Sequence, residues 1–208
     1  MRSAVIRHLV GAAEVTADDH AVDLGAGRGA ITAELVATGA RVTAVELDPD
    51  RVRALRRLAA DHPRLAVVAA DLRRWRPPRG PHVVVSNPPF DLTTALTRAL
   101  FDRPARGPDR AALVLQAAAA RRLAADDGPA GLRWAPWFDL RVAERIDRRA
   151  FAPPPRVDAA VLLATRRPTP LLPADQAEGW ARFVAANAAR WAAPDRRLRW
   201  WLRRFRSR

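Results

Sequence analysis

The sequence predicts an α/β protein built on a mostly parallel sheet, and three observations carry that prediction. Short apolar stretches alternate five times with stretches of helical periodicity along the first 125 residues or so, the pattern of strands joined by crossover helices. The first apolar stretch ends in Ala21–Ala30, AVDLGAGRGA; its glycines at alternate positions let a strand turn sharply into a helix and let the backbone approach a ligand. Four successive strands end at or near a polar residue, Asp23, Glu46, Asp71 and Asn87. An open parallel sheet gathers such residues along one edge.

Taken in order, Arg2–Val15 places Val5, Ile6, Leu9 and Val10 at helical spacing. Ala21–Leu24 is a strand, and Ala30–Thr38 a helix stopped by Gly39. Arg41–Leu47 is a second strand. Asp48-Pro49 then opens a helix with a capping acid and a proline at the first position. Leu65–Ala69 and His82–Val85 are the third and fourth strands, Leu92–Phe101 a helix, and Arg110–Gln116 a fifth strand that leads into an Ala-rich helix. Asp, Gly and Pro between Ala125 and Pro136 predict a loop. Phe138–Ile146 and Val157–Thr165 have no helix between them and are expected to pair antiparallel at the sheet edge. Residues 1–168 thus form the main domain. Residues 169–208, after a Pro-rich break, form a short basic extension of one or two helices that carries Trp180, Trp191, Trp200 and Trp201.

Composition bounds the function. The 208 residues are 49% hydrophobic, enough for a core and too much for a disordered chain. There is no Cys, which removes disulfides and thiolate metal sites. The longest apolar region, Ala111–Ala120, is interrupted by Gln116 and too short to cross a membrane, and Arg7 and His8 break what would be the apolar part of a secretion signal. A cytoplasmic monomer with no membrane or metal partner is the expectation. Net charge is +14, and all 36 basic residues are Arg. GC-rich coding explains Arg in place of Lys but not the excess of Arg over acids. That excess suits a polyanionic partner, because guanidinium groups hold phosphates bidentately and stack on bases.

The strand ends suggest a nucleoside site. The loop spacing is G-x-G-x-G, not the G-x-G-x-x-G of dinucleotide loops, with Asp23 two residues ahead. It reads as a cofactor loop that accepts a cationic group near Asp23 instead of a pyrophosphate. Glu46, 17 residues past Gly29, can accept both ribose hydroxyls, and Asp71 can accept from an adenine amino group. Ser86-Asn87-Pro88-Pro89-Phe90 adds a stiffened turn. In it the Asn87 amide and the Pro88 carbonyl can converge on one planar NH₂ group, and Phe90 offers a face to the attached ring.

These motifs, in this order, resemble class I methyltransferases that use S-adenosylmethionine, with a Rossmann-like, mostly parallel seven-stranded sheet. N-P-P-F is similar to the catalytic tetrapeptide of those that methylate exocyclic or amide nitrogens. Over about Val5–Thr165 the chain most resembles the rRNA adenine N6-methyltransferases, the Erm macrolide-resistance enzymes and their 16S dimethyladenosine relatives. Phe151–Asp158, FAPPPRVD, is similar to their Phe- and Pro-rich loop over the target base. The resemblance implies an enzyme with S-adenosylmethionine as cofactor, held by Asp23, Gly25, Gly27, Glu46, Leu47, Asp71, Leu72 and Asn87. It implies Asn87, Pro88 and Phe90 as catalytic residues and Phe90, Phe151 and Arg156 as contacts to the RNA. The substrate would be adenine N6 in rRNA, 23S favoured, with antibiotic resistance as the consequence; 16S rRNA, DNA adenine and a non-catalytic RNA-binding role are the alternatives. The family's Gln-[Asn/His]-Phe segment ahead of the first Gly is expected to have no counterpart here. Its helical RNA-binding domain is expected to be replaced in part by the Arg-rich tail, gripping phosphates without sequence preference.

Overall fold

The computed structural model describes residues 1–125, 128–188 and 198–207. Along the chain come α1 (Ser3–Ala12), β1 (His20–Leu24), α2 (Ala30–Ala37), β2 (Arg41–Glu46), α3 (Pro49–Ala60), β3 (Leu65–Ala69), β4 (Val83–Ser86) and α4 (Thr93–Phe101). They are followed by β5 (Arg110–Gln116), α5 (Ala117–Ala124), α6 (Pro129–Leu132), β6 (Phe138–Ile146), β7 (Ala159–Arg166), α7 (Ala177–Ala186) and α8 (Leu198–Arg206). The seven strands form one sheet in the order β3-β2-β1-β4-β5-β7-β6. β1 to β5 are parallel, whereas β7 runs antiparallel to both β5 and β6, so the two last strands pair at the edge as the missing helix between them requires.

Register explains why the four strand ends meet. Asp23 lies opposite Val85 in β4 and Ala44 in β2, so Asn87 stands level with Gly25 and Glu46 level with it across the other neighbour. Glu46 lies opposite Ala69 in β3, two residues short of Asp71. Successive side chains of a strand point to opposite faces. Accordingly Val22 and Leu24 enter one core with α4 to α8, while Ala21, Val42 and Ala44 enter the other with α1, α2 and α3.

Several boundaries differ from the sequence reading, each for a local reason. α1 stops at Ala12 instead of Val15, because Glu14 takes a left-handed conformation (φ 52°) and the Thr16 N–H turns onto Asp19 Oδ2 at 2.8 Å. β7 starts at Ala159, since Asp158 is spent on Arg145 and on the Arg148 N–H while Val157 stays exposed. The predicted loop before Pro136 holds the one-turn α6, with Pro129 at its first position; residues 126 and 127 lie outside the described part.

Of the tail Trp residues, the described ones, Trp180, Trp200 and Trp201, pack on the core. Trp180 and Trp201 are fully buried. Trp180 donates Nε1–H to Leu132 O at 2.8 Å and meets Phe205 edge-on at 5.4 Å. On α8 the Arg204 guanidinium lies over the Trp200 ring, 5.5 Å from its centroid, and Arg206 donates to Leu171 O at 2.6 Å. Arg190, Trp191, Asp195, Arg196, Arg197 and Arg208 lie outside the described residues. No helix among the described residues is long and apolar enough to cross a membrane.

Candidate active site

A crevice of about 940 Å³ opens at the carboxyl ends of the strands. Of the residues singled out in the sequence, Gly25, Gly27, Glu46, Leu47, Asp71, Leu72, Asn87, Pro88, Phe90 and Phe151 line it. Asp23 and Arg156 do not. Asp23 lies behind the glycine loop with no exposure, and Arg156 is exposed just past Pro155, which does reach the wall.

The loop's shape depends on its glycines. Gly25 sits at φ 74°, and its N–H and that of Ala26 donate to Val45 O at 2.9 and 3.0 Å. A Cβ there would lie 3.5 Å from Leu72 Cδ1 and 3.8 Å from both Pro88 Cα and Pro89 Cδ. The loop therefore packs directly beside the Asn87–Phe90 turn, and a side chain would fill the gap between them. Gly29, at φ 87° where α2 begins, would drive a Cβ to 3.0 Å from Leu55 of α3.

Glu46 ties the loop to the strand ends. Its Oε2 accepts from the Gly27 N–H at 2.8 Å, and its Oε1 from Leu47 N–H at 2.8 Å and Asp48 N–H at 3.0 Å. A carboxylate offers about four lone-pair sites, so three are engaged by backbone. Asp48 caps α3 by accepting from the Asp50 and Arg51 N–H groups. Asp71 accepts from the Arg73 N–H at 2.9 Å, and the Arg73 guanidinium reaches Asp91 at 3.3 Å. Leu47 is 59% exposed and Leu72 buried, so one offers an exposed apolar lip and the other a buried apolar wall.

Asp23 is held by Thr32, whose hydroxyl donates to Oδ2 at 2.6 Å, while Oδ1 is buried with no partner among the described residues. Burial pushes the carboxyl up to about 7; the Thr32 hydrogen bonds oppose this and the charge of Glu46 adds to it. In the unfolded chain the group titrates near 3.9. Between about pH 4 and about 7 the native state thus binds the extra proton, and stability falls as pH rises through that window. The gap corresponds to up to about 4 kcal/mol. Asp23→Asn is expected to remove this contribution, so between pH 4.5 and 8 in urea unfolding the wild type should lose stability relative to the variant. Equal pH dependence in both would show that Asp23 is ionised in the native chain throughout.

Asn87 is half-buried at the end of β4 and Pro88 is buried. Beneath them the Ser86 hydroxyl donates to Leu24 O at 2.6 Å, clamping β4 to β1 just below the turn. The Asn87 side-chain amide has no hydrogen-bond partner among the described residues, which leaves it available to a ligand. Phe90 and Phe151 are partly buried against the core under α1 and β1, and both face the crevice. The Pro-rich segment is anchored there by the Arg2 N–H, which donates to Ala150 O at 2.8 Å.

Sequence reasoning missed Met1, Ile6, Arg28, Arg51 and Arg73, which also line the crevice. Arg51 had a signal: it stands one turn into the helix opened by Asp48-Pro49, close to the end of β2. Met1 and Ile6 had none, because their place depends on how α1 docks against the Phe151 segment.

The chain matches the family model for ribosomal RNA adenine dimethylase over residues 2–191. It is 34% identical over 165 residues to an rRNA adenine N-6-methyltransferase of Bacillus licheniformis, covering 78% of this chain and 58% of that protein. It is 43% identical over 153 residues to the mycinamicin-resistance protein MyrB of Micromonospora griseorubida, covering 73% and 48%. Among solved structures, the 23S rRNA methyltransferase ErmE is similar with a TM-score of 0.79 and 29% identity, covering 97% of this chain and 82% of that one. The chain spans about half the length of the curated relatives it matches.

Proposed function

The chain belongs to the ribosomal RNA adenine dimethylase family, and on that footing we propose that it transfers a methyl group from S-adenosylmethionine to the exocyclic N6 of an adenine in rRNA. Its fold is the class I methyltransferase fold that the sequence predicted. The observation that carries the proposal is that Asn87, Pro88 and Phe90 share one crevice with Gly25, Gly27, Glu46 and Asp71. The likeness to MyrB and ErmE favours 23S rRNA as the substrate and resistance to a ribosome-targeting antibiotic as its consequence.

The crevice fits the cofactor. Its loop is a cradle that a Cβ would fill, and the carboxylates of Glu46 and Asp71 face it beside the amide of Asn87, acceptors suited to the hydroxyl and amino groups of a nucleoside. When bound, S-adenosylmethionine supplies a methyl group already electrophilic on its sulfonium. Gly25 and Gly27 would border the methionine portion, Glu46 would accept from a ribose hydroxyl through its remaining lone-pair site, and Asp71 would accept from the adenine amino group. Leu47 and Leu72 would flank the ring.

The chain's residues act on the target base. The Asn87 amide oxygen and the Pro88 carbonyl accept the two N6 hydrogens, which holds the amino group in place and turns its lone pair outward. No strong base is needed, because alignment supplies most of the rate, the two acceptors stabilise positive charge growing on nitrogen, and the methylated, cationic nitrogen then sheds one proton to solvent. Phe90 stacks on the base, Phe151 closes over it, and Arg156 outside the crevice meets a phosphate. Such a base must leave its helix to arrive there.

The test is to incubate the protein with methyl-labelled cofactor and, separately, 23S rRNA, 16S rRNA and duplex DNA, then map the label. Label on N6 of an adenine in 23S rRNA is the expected result. Label confined to 16S rRNA or DNA would move the substrate, and no transfer to any of them would remove the activity.

A further inference from the structure

A second recess lies on the same sheet edge as Asn87, one strand over. It encloses about 320 Å³, and its walls include Gln116, Arg121, Arg145, Val157 and Asp158. We infer that this recess is a subsite for the nucleotide next to the target adenosine, with Arg121 and Arg145 on its phosphate, Val157 against its base and Gln116 at the base edge. The inference rests on the proposed function and names how RNA beyond the target base is held.

Position is the first argument. Ser86 of β4 lies opposite Leu113 of β5, so Asn87 is level with Val114 and Gln116 stands two residues further along the neighbouring strand. With strands about 4.8 Å apart and about 3.3 Å of rise per residue, the two side chains start about 8 Å apart. That is a step suited to neighbouring nucleotides of a splayed strand, and it requires no second crevice elsewhere.

Chemistry is the second. Val157 is 45% exposed, an apolar face beside cations that can make van der Waals contact with a base. Gln116 is exposed at the head of α5 and makes no cap hydrogen bond there, so its amide can both donate and accept. Arg121, one turn into α5, is exposed and pairs with no acid among the described residues. Arg145 is held by Asp158, which also accepts from the Arg148 N–H at 3.3 Å. A guanidinium has five N–H donors, so this bond orients Arg145 and leaves donors over. With Asp158 spent in that way, the recess keeps the positive charge of Arg121.

The experiment measures binding of a fluorescein-labelled five-nucleotide single-stranded oligoadenylate by anisotropy across a salt series, with S-adenosylhomocysteine calorimetry on each variant. Arg121→Gln should weaken binding and make the log–log salt slope shallower by about 0.7, the value for one lost phosphate contact on a single strand. Val157→Ser should weaken binding with the slope unchanged, as loss of an apolar contact requires. Arg57→Gln, the same charge change on the exposed side of α3, should leave both as they are, and all three should bind S-adenosylhomocysteine like the wild type. Wild-type affinity and slope in Arg121→Gln, or an equal slope change in Arg57→Gln, would overturn the subsite while leaving the methyl-transfer reading in place. A wild type that binds the oligoadenylate not at all would also overturn the subsite, whereas the methyl-transfer reading stands or falls on label transfer to rRNA.

Discussion

Asn87→Ala is expected to slow single-turnover methyl transfer at least about 100-fold, equivalent to about 2.7 kcal/mol of transition-state stabilisation, with cofactor and RNA affinity little changed. The reason is the direction in which charge develops. An amide acceptor gains little from a neutral amino group in the ground state and more from the same nitrogen as it becomes cationic, so its loss falls on rate and not on binding. The half-buried Asn87 amide, unpartnered among the described residues, beside a proline turn clamped by Ser86, is already placed for this before substrate arrives. Phe90 works differently. Phe90→Ala should cost both RNA affinity and rate, whereas Phe90→Tyr keeps the ring and should keep most of both. An Asn87→Ala protein with the wild-type single-turnover rate would take this residue out of the mechanism.

Most of the sheet was legible because strand ends and loop glycines are local signals. Leu65–Ala69, Arg110–Gln116 and Phe138–Ile146 have the expected bounds, since each is an apolar or alternating run closed by a turn or a capping residue. The crevice was legible for the same reason: in a parallel sheet the strand ends share an edge, so spacing along the sequence becomes adjacency in space. What escaped was long-range. Nothing near Asp23 shows that Thr32, nine residues on, takes one of its oxygens while the other is sealed behind the loop. The contributions of Met1 and Ile6 need the docking of α1 on the Phe151 segment, which rests on long-range apolar packing and a backbone hydrogen bond between Arg2 and Ala150. The arginines at the crevice mouth were hidden by number, because 36 arginines make any one of them uninformative.

Glu46→Ala is expected to weaken binding of S-adenosylmethionine by about 1.5–3 kcal/mol, the usual worth of a hydrogen bond to a charged group, or roughly 10- to 150-fold in Kd. The structure adds a second source for that loss. The same carboxylate accepts from Gly27, Leu47 and Asp48 N–H groups, so removing it also frees the glycine loop and the head of α3. The two sources separate with a cofactor analogue lacking the 2′ and 3′ hydroxyls. If Glu46 acts by accepting from the ribose, the analogue already lacks that bond in the wild type, and the gap between wild type and variant should shrink markedly. If Glu46 acts only by bracing the loop, the gap should be the same for both ligands, because the loop is loosened whichever is bound. Calorimetry of the four combinations gives the coupling directly. Wild-type affinity in Glu46→Ala would dismiss both roles. A gap of equal size for the two ligands would keep the brace and move ribose recognition to another group on the crevice wall, with Arg51, 4.0 Å from Glu46 Oε2, the first side chain to examine.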